Sequence, residues 1–311
     1  MYYLLAVFTG LFMPMQTSFN TRLKGKLGHP IYASTVNFAM GMVFLACLLL
    51  LTGKGLSIPV AELWQTEPKW VWLGGFCGVT YLTGNILLLP RIGAVKTIML
   101  PTVGQVLMGL LIDHFALFQS PEKELTLLRL TGALILLLGL TLLNRQKNPG
   151  KPAEEGENAS KGTSDILLTI LAVLMGTLGA IQTAINGHLG TALGTPMKSA
   201  LVNFVVGTTL LVLISIGLTL KLGKPDVQPG ARPFYMWFGG PLGGTFVLVN
   251  AILSQTIGTG MAVVACMVGS MTGSLIIDHF GLFGGIKSPV TLKKVAALLI
   301  MFFGVVLIRL F

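Results

Sequence analysis

Charged residues are scarce in this chain. Only 10% of its 311 residues are Asp, Glu, Lys or Arg, whereas 53% are hydrophobic, and the mean hydropathy is +0.81. A soluble core does not need so many apolar residues. The apolar runs are long enough to cross the hydrocarbon layer of a membrane, which takes roughly 20 residues each. The composition therefore predicts an all-α integral membrane protein.

Residue types that carry catalysis or bind metals are also few. The chain has four histidines, three cysteines and eleven acidic residues, and most of the acids fall in predicted loops. Cys47, Cys77 and Cys266 lie inside apolar runs, where neither a disulfide nor a metal cluster is expected. No nucleophile-elbow, zinc-protease, phosphate-loop or kinase pattern occurs. We expect no catalytic residue, no metal site, no cofactor and no enzymatic activity.

The positive net charge has a topological explanation. The formal charge is +10, but the 21 Lys and Arg residues are spread over many short loops, as membrane topology requires. They never cluster with aromatic residues in a polar segment, so we expect no nucleic-acid partner.

The first residues, 1–15, lack a basic region and a small-residue cleavage site, and they predict a membrane helix and not a removed signal peptide.

The chain contains an internal sequence repeat of two copies. The segment Gln16-Thr17-Ser18-Phe19-Asn20 returns 166 residues later as Gln182-Thr183-Ala184-Ile185-Asn186. Further along, the offset is 165, and Ile112-Asp113-His114-Phe115 matches Ile277-Asp278-His279-Phe280. The sequence predicts two repeats, 1–144 and 164–311, joined by a disordered cytoplasmic linker at 145–163. One chain is then a complete duplicated unit, so a monomer is sufficient.

Apolar runs between polar breaks predict ten transmembrane helices, five in each repeat. They span 2–21, 31–52, 70–90, 94–118 and 125–144, and again 165–186, 197–220, 234–255, 259–282 and 291–310. Glycines spaced four apart, Gly74 with Gly78 and Gly239 with Gly243, predict close helix packing. Pro14, Pro101 and Pro241 predict kinks, because proline removes a backbone hydrogen bond.

Five helices is an odd number, so the second repeat must enter the membrane from the opposite face. The two repeats should therefore be antiparallel, an arrangement typical of transporters. Charge counting agrees: with both termini outside, fifteen of the twenty-one basic residues lie on the inner side. We predict a multi-pass protein of a bacterial inner membrane with its N- and C-termini outside.

Amides inside apolar helices are the candidate binding residues. Uncharged polar side chains at membrane depth are costly unless they pair, so they mark either helix contacts or a polar site. Four amides recur at equivalent positions of both repeats, which suggests one central cavity lined by amides. The predicted substrate-binding set is Gln16, Asn20, Asn37 and Asn85 with Gln182, Asn186, Asn203 and Asn250.

Two Asp-His pairs are the candidates for gating or coupling. Asp113 with His114, and Asp278 with His279, carry the only carboxylates set within apolar runs, each about one turn before its helix ends. The predicted topology places Asp113 near the outer face and Asp278 near the inner face. They could cap helices and act as gates, or they could be protonatable coupling sites, because a half-buried carboxylate beside histidine titrates near neutral pH.

Three motifs together resemble one known family. A Q-T-x-x-N stretch ends the first helix, P-x-x-x-x-x-V-N-F opens the second, and I-D-H-F-x-L-F ends the fourth. This pattern is similar to the YdcZ-like inner-membrane family of the drug/metabolite transporter (DMT) superfamily, in its fused two-domain form. The resemblance implies two antiparallel five-helix inverted repeats. The related small multidrug exporters carry a membrane-embedded glutamate in the first helix, where this chain has Gln16 and Gln182.

The expected function is secondary transport of a small polar metabolite, by export or facilitated passage, with the lipid bilayer and a small-molecule substrate as partners. A channel-like uniporter and a proton-coupled exporter of small organic cations remain alternatives. A membrane scaffold would explain the helices but not the paired amides.

Overall fold

The computed structural model of the chain describes residues 1–144, 163–223, 227, 234–284 and 291–310, and this part is helical and contains no strand. Its helices are α1 Tyr2–Gly10, α2 Phe12–Leu27, α3 Pro30–Leu51, α4 Val60–Thr66, α5 Leu73–His114, α6 Leu127–Asn144, α7 Thr163–Ala192, α8 Pro196–Leu222, α9 Gly239–Ile257, α10 Thr259–Phe280 and α11 Leu292–Leu310. Short 3-10 helices cover Lys69–Trp72, Leu117–Gln119, Phe234–Phe238 and Leu282–Gly284. The predicted linker lies outside the described residues except for Thr163, where α7 begins.

The first predicted helix is divided in two. It breaks at Leu11, between α1 and α2. Pro14 explains the position, because its nitrogen has no hydrogen to donate to the carbonyl of Gly10. The helix also continues beyond the predicted end at residue 21 to Leu27. The short helix α4 was not predicted from the sequence.

The third and fourth predicted helices form the two limbs of α5. Helix α5 is assigned as continuous over 42 residues, yet the amide of Gln105 donates to the hydroxyl of Tyr81 at 2.8 Å. A straight helix would separate these residues by about 36 Å. Helix α5 therefore reverses direction between Gly84 and Pro101, and its two limbs run side by side along α7.

Equivalent turns join the first two long helices of each repeat. Gly28 (φ 71°) and Gly194 (φ 65°) adopt the left-handed conformation that ends a helix. The next residue caps the following helix in both cases: His29 Nδ1 accepts from the backbone of α3, and Thr195 Oγ1 accepts from that of α8. The repeat in sequence is thus a repeat in local structure.

A residue of the first repeat that contacts the second repeat has an equivalent, 165 or 166 positions later, that makes the same contact back to the first repeat. A Cβ atom on Gly10 would lie 2.0 Å from the carbonyl oxygen of Cys266, and one on Gly176 would lie 1.9 Å from that of Pro101. Cys266 is itself the equivalent of Pro101. The backbones of α1 and α10 therefore touch in the same way as those of α7 and the second limb of α5. Helices α3 with α8, and α6 with α11, pack as equivalent partners.

Among the residues that the structure describes, five helical segments are long and apolar enough to cross a membrane by length and composition. They are Pro30–Leu51, Ile166–Ala192, Pro196–Lys221, Phe234–Ile257 and Thr259–Ile277. The first three present many apolar side chains outward, as expected for helices surrounded by lipid, whereas most of Thr259–Ile277 is buried inside the bundle.

Candidate functional site

Three of the predicted amides form a hydrogen-bonded triad in the first repeat. The Gln16 Nε2 atom donates to Asn37 Oδ1 at 3.3 Å, and Asn37 Nδ2 donates to Asn20 Oδ1 at 2.5 Å. Helix α9 of the other repeat closes over this triad with Gly239 and Gly243, where a Cβ atom would lie within 2.8 Å of the amide atoms. The G-x-x-x-G spacing thus lets a backbone lie directly on the amides.

The second repeat has the equivalent triad. Gln182 Nε2 donates to Asn203 Oδ1 at 3.1 Å, and Asn186 Nδ2 donates to the same oxygen at 3.2 Å. Gly74 and Gly78 of α5 cover it, each with less than 2.6 Å between its would-be Cβ and the nearest amide atom. The predicted close packing of these glycines is confirmed, and the partner of each is an amide.

The two triads differ in how completely their polar atoms are paired. Asn186 and Asn203 are both 2% exposed. Their Oδ1 and Nδ2 atoms, respectively, have no hydrogen-bond partner in the described part of the chain. One buried acceptor and one buried donor are therefore left open, each at a free-energy cost of about 1–3 kcal/mol. The first triad has no such open atom.

The triads lie at different depths of the bundle. Gly243 of α9 meets Gln16, whereas Ser254 of α9 meets Gly187, the neighbour of Asn186. Eleven residues of helix separate these contacts, about 16 Å along the axis. The structure therefore joins six of the eight predicted amides into two triads, not into a single ring. Their role in substrate binding remains a prediction.

The two remaining predicted amides are not in the triads. Asn250 is buried and bonds locally: its Nδ2 donates to the carbonyl of Phe246 at 2.9 Å, and its Oδ1 accepts from Cys266 Sγ at 3.6 Å. The side chain of Asn85 lies outside the described residues.

A pair of phenylalanines joins the centre of the two repeats. Phe38 and Phe204 are equivalent residues, and their rings lie 5.0 Å apart. Phe38 lies against Gly207, and Phe204 lies against Gly41. Each phenylalanine follows the asparagine at the centre of a triad, so this ring pair lies between the helices that carry the two triads.

Asp113 caps a helix of the opposite repeat. Its carboxylate accepts from the backbone nitrogens of Thr259 at 2.6 Å and of Gly260 at 3.0 Å, and Arg129 lies 3.6 Å away. Gly258, which separates α9 from α10, has a φ of 90° and lies directly against the carboxylate. A buried carboxylate is thus held by two backbone donors and a guanidinium at the positive end of α10.

The other residues predicted for gating make fewer described contacts than Asp113. His114 Nδ1 accepts from the backbone of Leu125 at 3.3 Å, and the ring of His279 packs on Phe280 at 4.8 Å. The side chain of Asp278 lies outside the described residues. Lys294, the equivalent of Arg129, is 4% exposed, so a buried basic residue occurs at this position in both repeats.

Aromatic side chains that were not among the predicted site residues surround His188 near the end of α7. His188 Nε2 lies 2.7 Å from Glu67 Oε2, and its ring lies 5.1 Å from Trp70. Trp70 in turn packs edge-on against Phe118 at 5.3 Å. We call these four residues the His188 cluster.

The equivalent group surrounds Arg22 at the end of α2. The Arg22 guanidinium donates to the hydroxyl of Tyr235 and lies 5.7 Å from the centre of its ring. Phe19 lies 5.3 Å from Tyr235 and 4.8 Å from Phe283. We call these four residues the Arg22 cluster. Helix α9 begins beside it and ends beside residue 187, so the two clusters lie at opposite ends of the bundle.

Backbone strain occurs at the same place in both clusters. Phe118 has a φ of 54° and Phe283 a φ of 52°, values that are unfavourable for a side chain of this size. Both are the last residue of the I-D-H-F-x-L-F motif. The signal available in the sequence was the repeat alignment, which pairs Trp70 with Tyr235 and Phe118 with Phe283.

Comparisons with known proteins concern the family and the fold of the chain. A family profile described as "Putative inner membrane exporter, YdcZ" matches residues 1–142 and 167–307. One solved crystal structure, described only as that of a protein, is 15% identical and aligns with a TM-score of 0.70 over 99% of this chain and 96% of its own. That likeness concerns the fold alone. No curated protein matches the chain.

Proposed function

This chain belongs to the YdcZ inner-membrane exporter family, and from that membership we propose that it is a secondary transporter of a small polar metabolite that works by alternating access. The family description supports a membrane transporter and not an enzyme. The substrate and the mechanism are our proposal, argued from the geometry below.

The main support for the proposal is that equivalent residues of the two repeats make equivalent contacts with the opposite repeat. The close glycine contacts of α1, α2 and α3 with α9 and α10 have equivalents among α7, α8 and the two limbs of α5. Two units related in this way can exchange conformations, which opens a shared path first to one side of the membrane and then to the other. A scaffold has no need of two interchangeable halves.

We further propose the full ten-span arrangement. The limbs of α5 count as two spans, and α1 with α2 counts as one, which gives five per repeat. The reversal of α5 supports this count, and the distribution of basic residues supports outer N- and C-termini. In this topology the His188 cluster lies at the outer end and the Arg22 cluster at the inner end.

We propose that the triads bind substrate and that the aspartates act as gates. The amide triads supply neutral hydrogen-bonding groups at two depths of the path. The open donor and acceptor of the second triad would gain most from a polar solute, because pairing removes their desolvation cost. Asp113, and Asp278 at the equivalent position, would hold the outer and the inner ends closed in alternation.

Transport by purified protein in liposomes tests the proposal. Candidate solutes are first chosen by their ability to raise the unfolding temperature of the protein in detergent, and uptake of each is then measured. A carrier predicts saturation with substrate and faster uptake when unlabelled substrate is present inside. Uptake that never saturates would indicate a channel-like pore, and indifference to every solute would indicate a scaffold.

A further inference from the structure

A closed ring of contacts includes Gln182 of the second triad. Gln182 lies against Gly78, where a Cβ atom would be 2.5 Å from the Nε2 atom. One turn along α5 from Gly78 is Tyr81, whose hydroxyl accepts from Gln105 Nε2 at 2.8 Å. The Gln105 amide lies 3.1 Å from the Cβ position of Gly179, which is one turn before Gln182. We call Tyr81, Gln105 and Gln182 the Gln105 site.

The Gln105 site faces the interior of the bundle. Gln105 lies roughly 120–160° around its helix from Leu107 and Leu111. Those leucines are each 43% exposed, so Gln105 points away from the lipid-facing side. The three residues of the site are nevertheless half-buried, although the two limbs of α5 and helix α7 surround them. A small solute can therefore reach their polar groups from inside the bundle.

The two glutamines of this site have further hydrogen-bonding groups to offer. Gln105 and Gln182 each donate one described bond through Nε2. Neither Oε1 atom accepts a hydrogen bond within the part of the chain that the structure describes. Each amide therefore has an acceptor and a second N–H donor for a ligand. The three side chains of the site carry no charge at neutral pH.

The equivalent contact of α2 with α9 and α10 is less polar. Identical glycines fix the repeat alignment here without a gap, because Gly78 and Gly104 match Gly243 and Gly269. Three positions differ between the two sides: they are Tyr81, Gln105 and Gly179 on one side, and Phe246, Ser270 and Met13 on the other. Polar side chains are therefore concentrated on the side of the Gln105 site.

We propose that the Gln105 site binds a neutral polyol, whose hydroxyls bond to the amides of Gln105 and Gln182. A hydroxyl both donates and accepts, so two neighbouring hydroxyls can pair with the oxygen and the N–H of one amide. A charged ligand is disfavoured, because burial of an ion without a counter-ion is costly. The inference rests on the proposed function and deepens it by naming the substrate class.

Binding is measured without transport, with tritiated xylitol and the full chain purified in detergent. We expect saturable binding that unlabelled xylitol displaces and tetramethylammonium does not. Tyr81→Phe and Gln105→Ser introduce the residues of the equivalent positions. Each should raise the Kd about three- to tenfold, because each removes or misplaces a neutral hydrogen-bonding group. Two matched controls should leave the Kd within about twofold: Ser270→Ala, and Tyr32→Phe, which removes a tyrosine hydroxyl bonded elsewhere, to Thr219.

A structural role of the Tyr81–Gln105 bond is tested separately, because this bond also joins the two limbs of α5. Gly179→Ala removes no hydrogen-bonding group, but its methyl group would lie 3.1 Å from Gln105 Nε2 and crowd the amide. The equivalent position holds Met13, so a side chain fits the fold there. Gly179→Ala should raise the Kd at least threefold while the unfolding temperature stays close to that of the wild type.

Three results would overturn the inference: no saturable binding of xylitol, displacement by tetramethylammonium as effective as by xylitol, or an unchanged Kd in folded Gln105→Ser and Gly179→Ala. Failure of the proposed function is distinguishable. Xylitol that binds but never crosses a liposome membrane contradicts the transporter and leaves the site. Saturable transport of another class of solute, without xylitol binding, contradicts the site and leaves the transporter.

Discussion

The carboxylate of Asp113 lies 2.6 Å from the backbone nitrogen of Thr259, a residue 146 positions away in the other repeat. This bond ties the end of α5 to the start of α10. A contact between repeats at one end of the bundle must break if that end is to open.

Asp113→Asn should therefore favour opening at the outer end. A hydrogen bond to a charged group contributes about 1.5–3 kcal/mol, which is enough to shift a two-state equilibrium about tenfold or more. The measurement is labelling of single cysteines at each end with a membrane-impermeant reagent, in a chain without Cys47, Cys77 and Cys266. Asp278→Asn should shift the labelling the opposite way. The same change in both variants would contradict gating, and a loss of pH dependence without any change in labelling would indicate proton coupling.

The triads are tested with Asn20→Leu and Asn186→Leu. Leucine resembles asparagine in size but offers no hydrogen bond, so we expect transport to be lost while folded protein remains. The cost of unpaired neighbours in each triad is about 1–3 kcal/mol. Size-exclusion profiles and unfolding temperatures in detergent measure the fold, and liposome uptake measures transport. If both variants unfold, the amides hold the bundle together and do not bind substrate.

The glycine contacts predict four equally harmful substitutions. In Gly10→Ala, Gly104→Ala, Gly176→Ala and Gly269→Ala, the new methyl group would lie 1.8–2.0 Å from a backbone oxygen. Each should destabilise the protein by about 1–3 kcal/mol, because the backbones must move apart. Gly217→Ala is the matched control: nothing lies within 4 Å of its Cβ position, and it should stabilise α8 by about 0.5–1 kcal/mol. Tolerance of any of the four would show that the contact is looser than described.

Ala116 offers a stabilising substitution. Its φ is 48°, while its equivalent Gly281 has a φ of 61°. Because an L-residue in this conformation costs about 1–2 kcal/mol and glycine does not pay that cost, Ala116→Gly should raise stability by about 0.5–1 kcal/mol. Gly281→Ala should lower it by a similar amount. Unfolding midpoints in detergent compare the two, and a loss of stability in Ala116→Gly would mean that the methyl group contributes more than the backbone strain costs.

The proposed orientation predicts that the C-terminus lies outside. A reporter that is active only in the periplasm, fused after Phe311, should be active, and a fusion within 145–162 should be inactive. A signal confined to the cytoplasm for the C-terminal fusion would contradict both the orientation and the count of ten spans.

The sequence predicted much of the fold because its signals are local. Apolar length located the long helices but not all of their ends: α2 continues to Leu27 and α7 to Ala192, beyond the predicted ends at 21 and 186. Pro14 predicted a kink in the first helix, and the helix is interrupted close to it, at Leu11. The short helix α4 was not predicted, because its seven residues form no long apolar run.

The arrangement of the amides was harder to predict for a geometrical reason. In the proposed inverted arrangement, a two-fold axis in the membrane plane would send a residue at one depth to the mirrored depth in the other repeat. Only residues close to the axis meet their own equivalents, as Phe38 meets Phe204. The repeat alignment shows which amides correspond but not how far each lies from the axis. The two triads therefore form at separate depths, and the clusters at either end required the structure.

The difference between the His188 cluster and the Arg22 cluster has a consequence for the origin of the fused chain. Two copies of a single five-helix protein, paired head to tail, would have to present identical chemistry to both sides of the membrane. Duplication within one gene removes that restriction, because each mouth can then change by itself. In this chain the cluster at one end contains an acid beside its histidine, and the cluster at the other end contains an arginine bonded to a tyrosine, so the two ends of the bundle differ chemically.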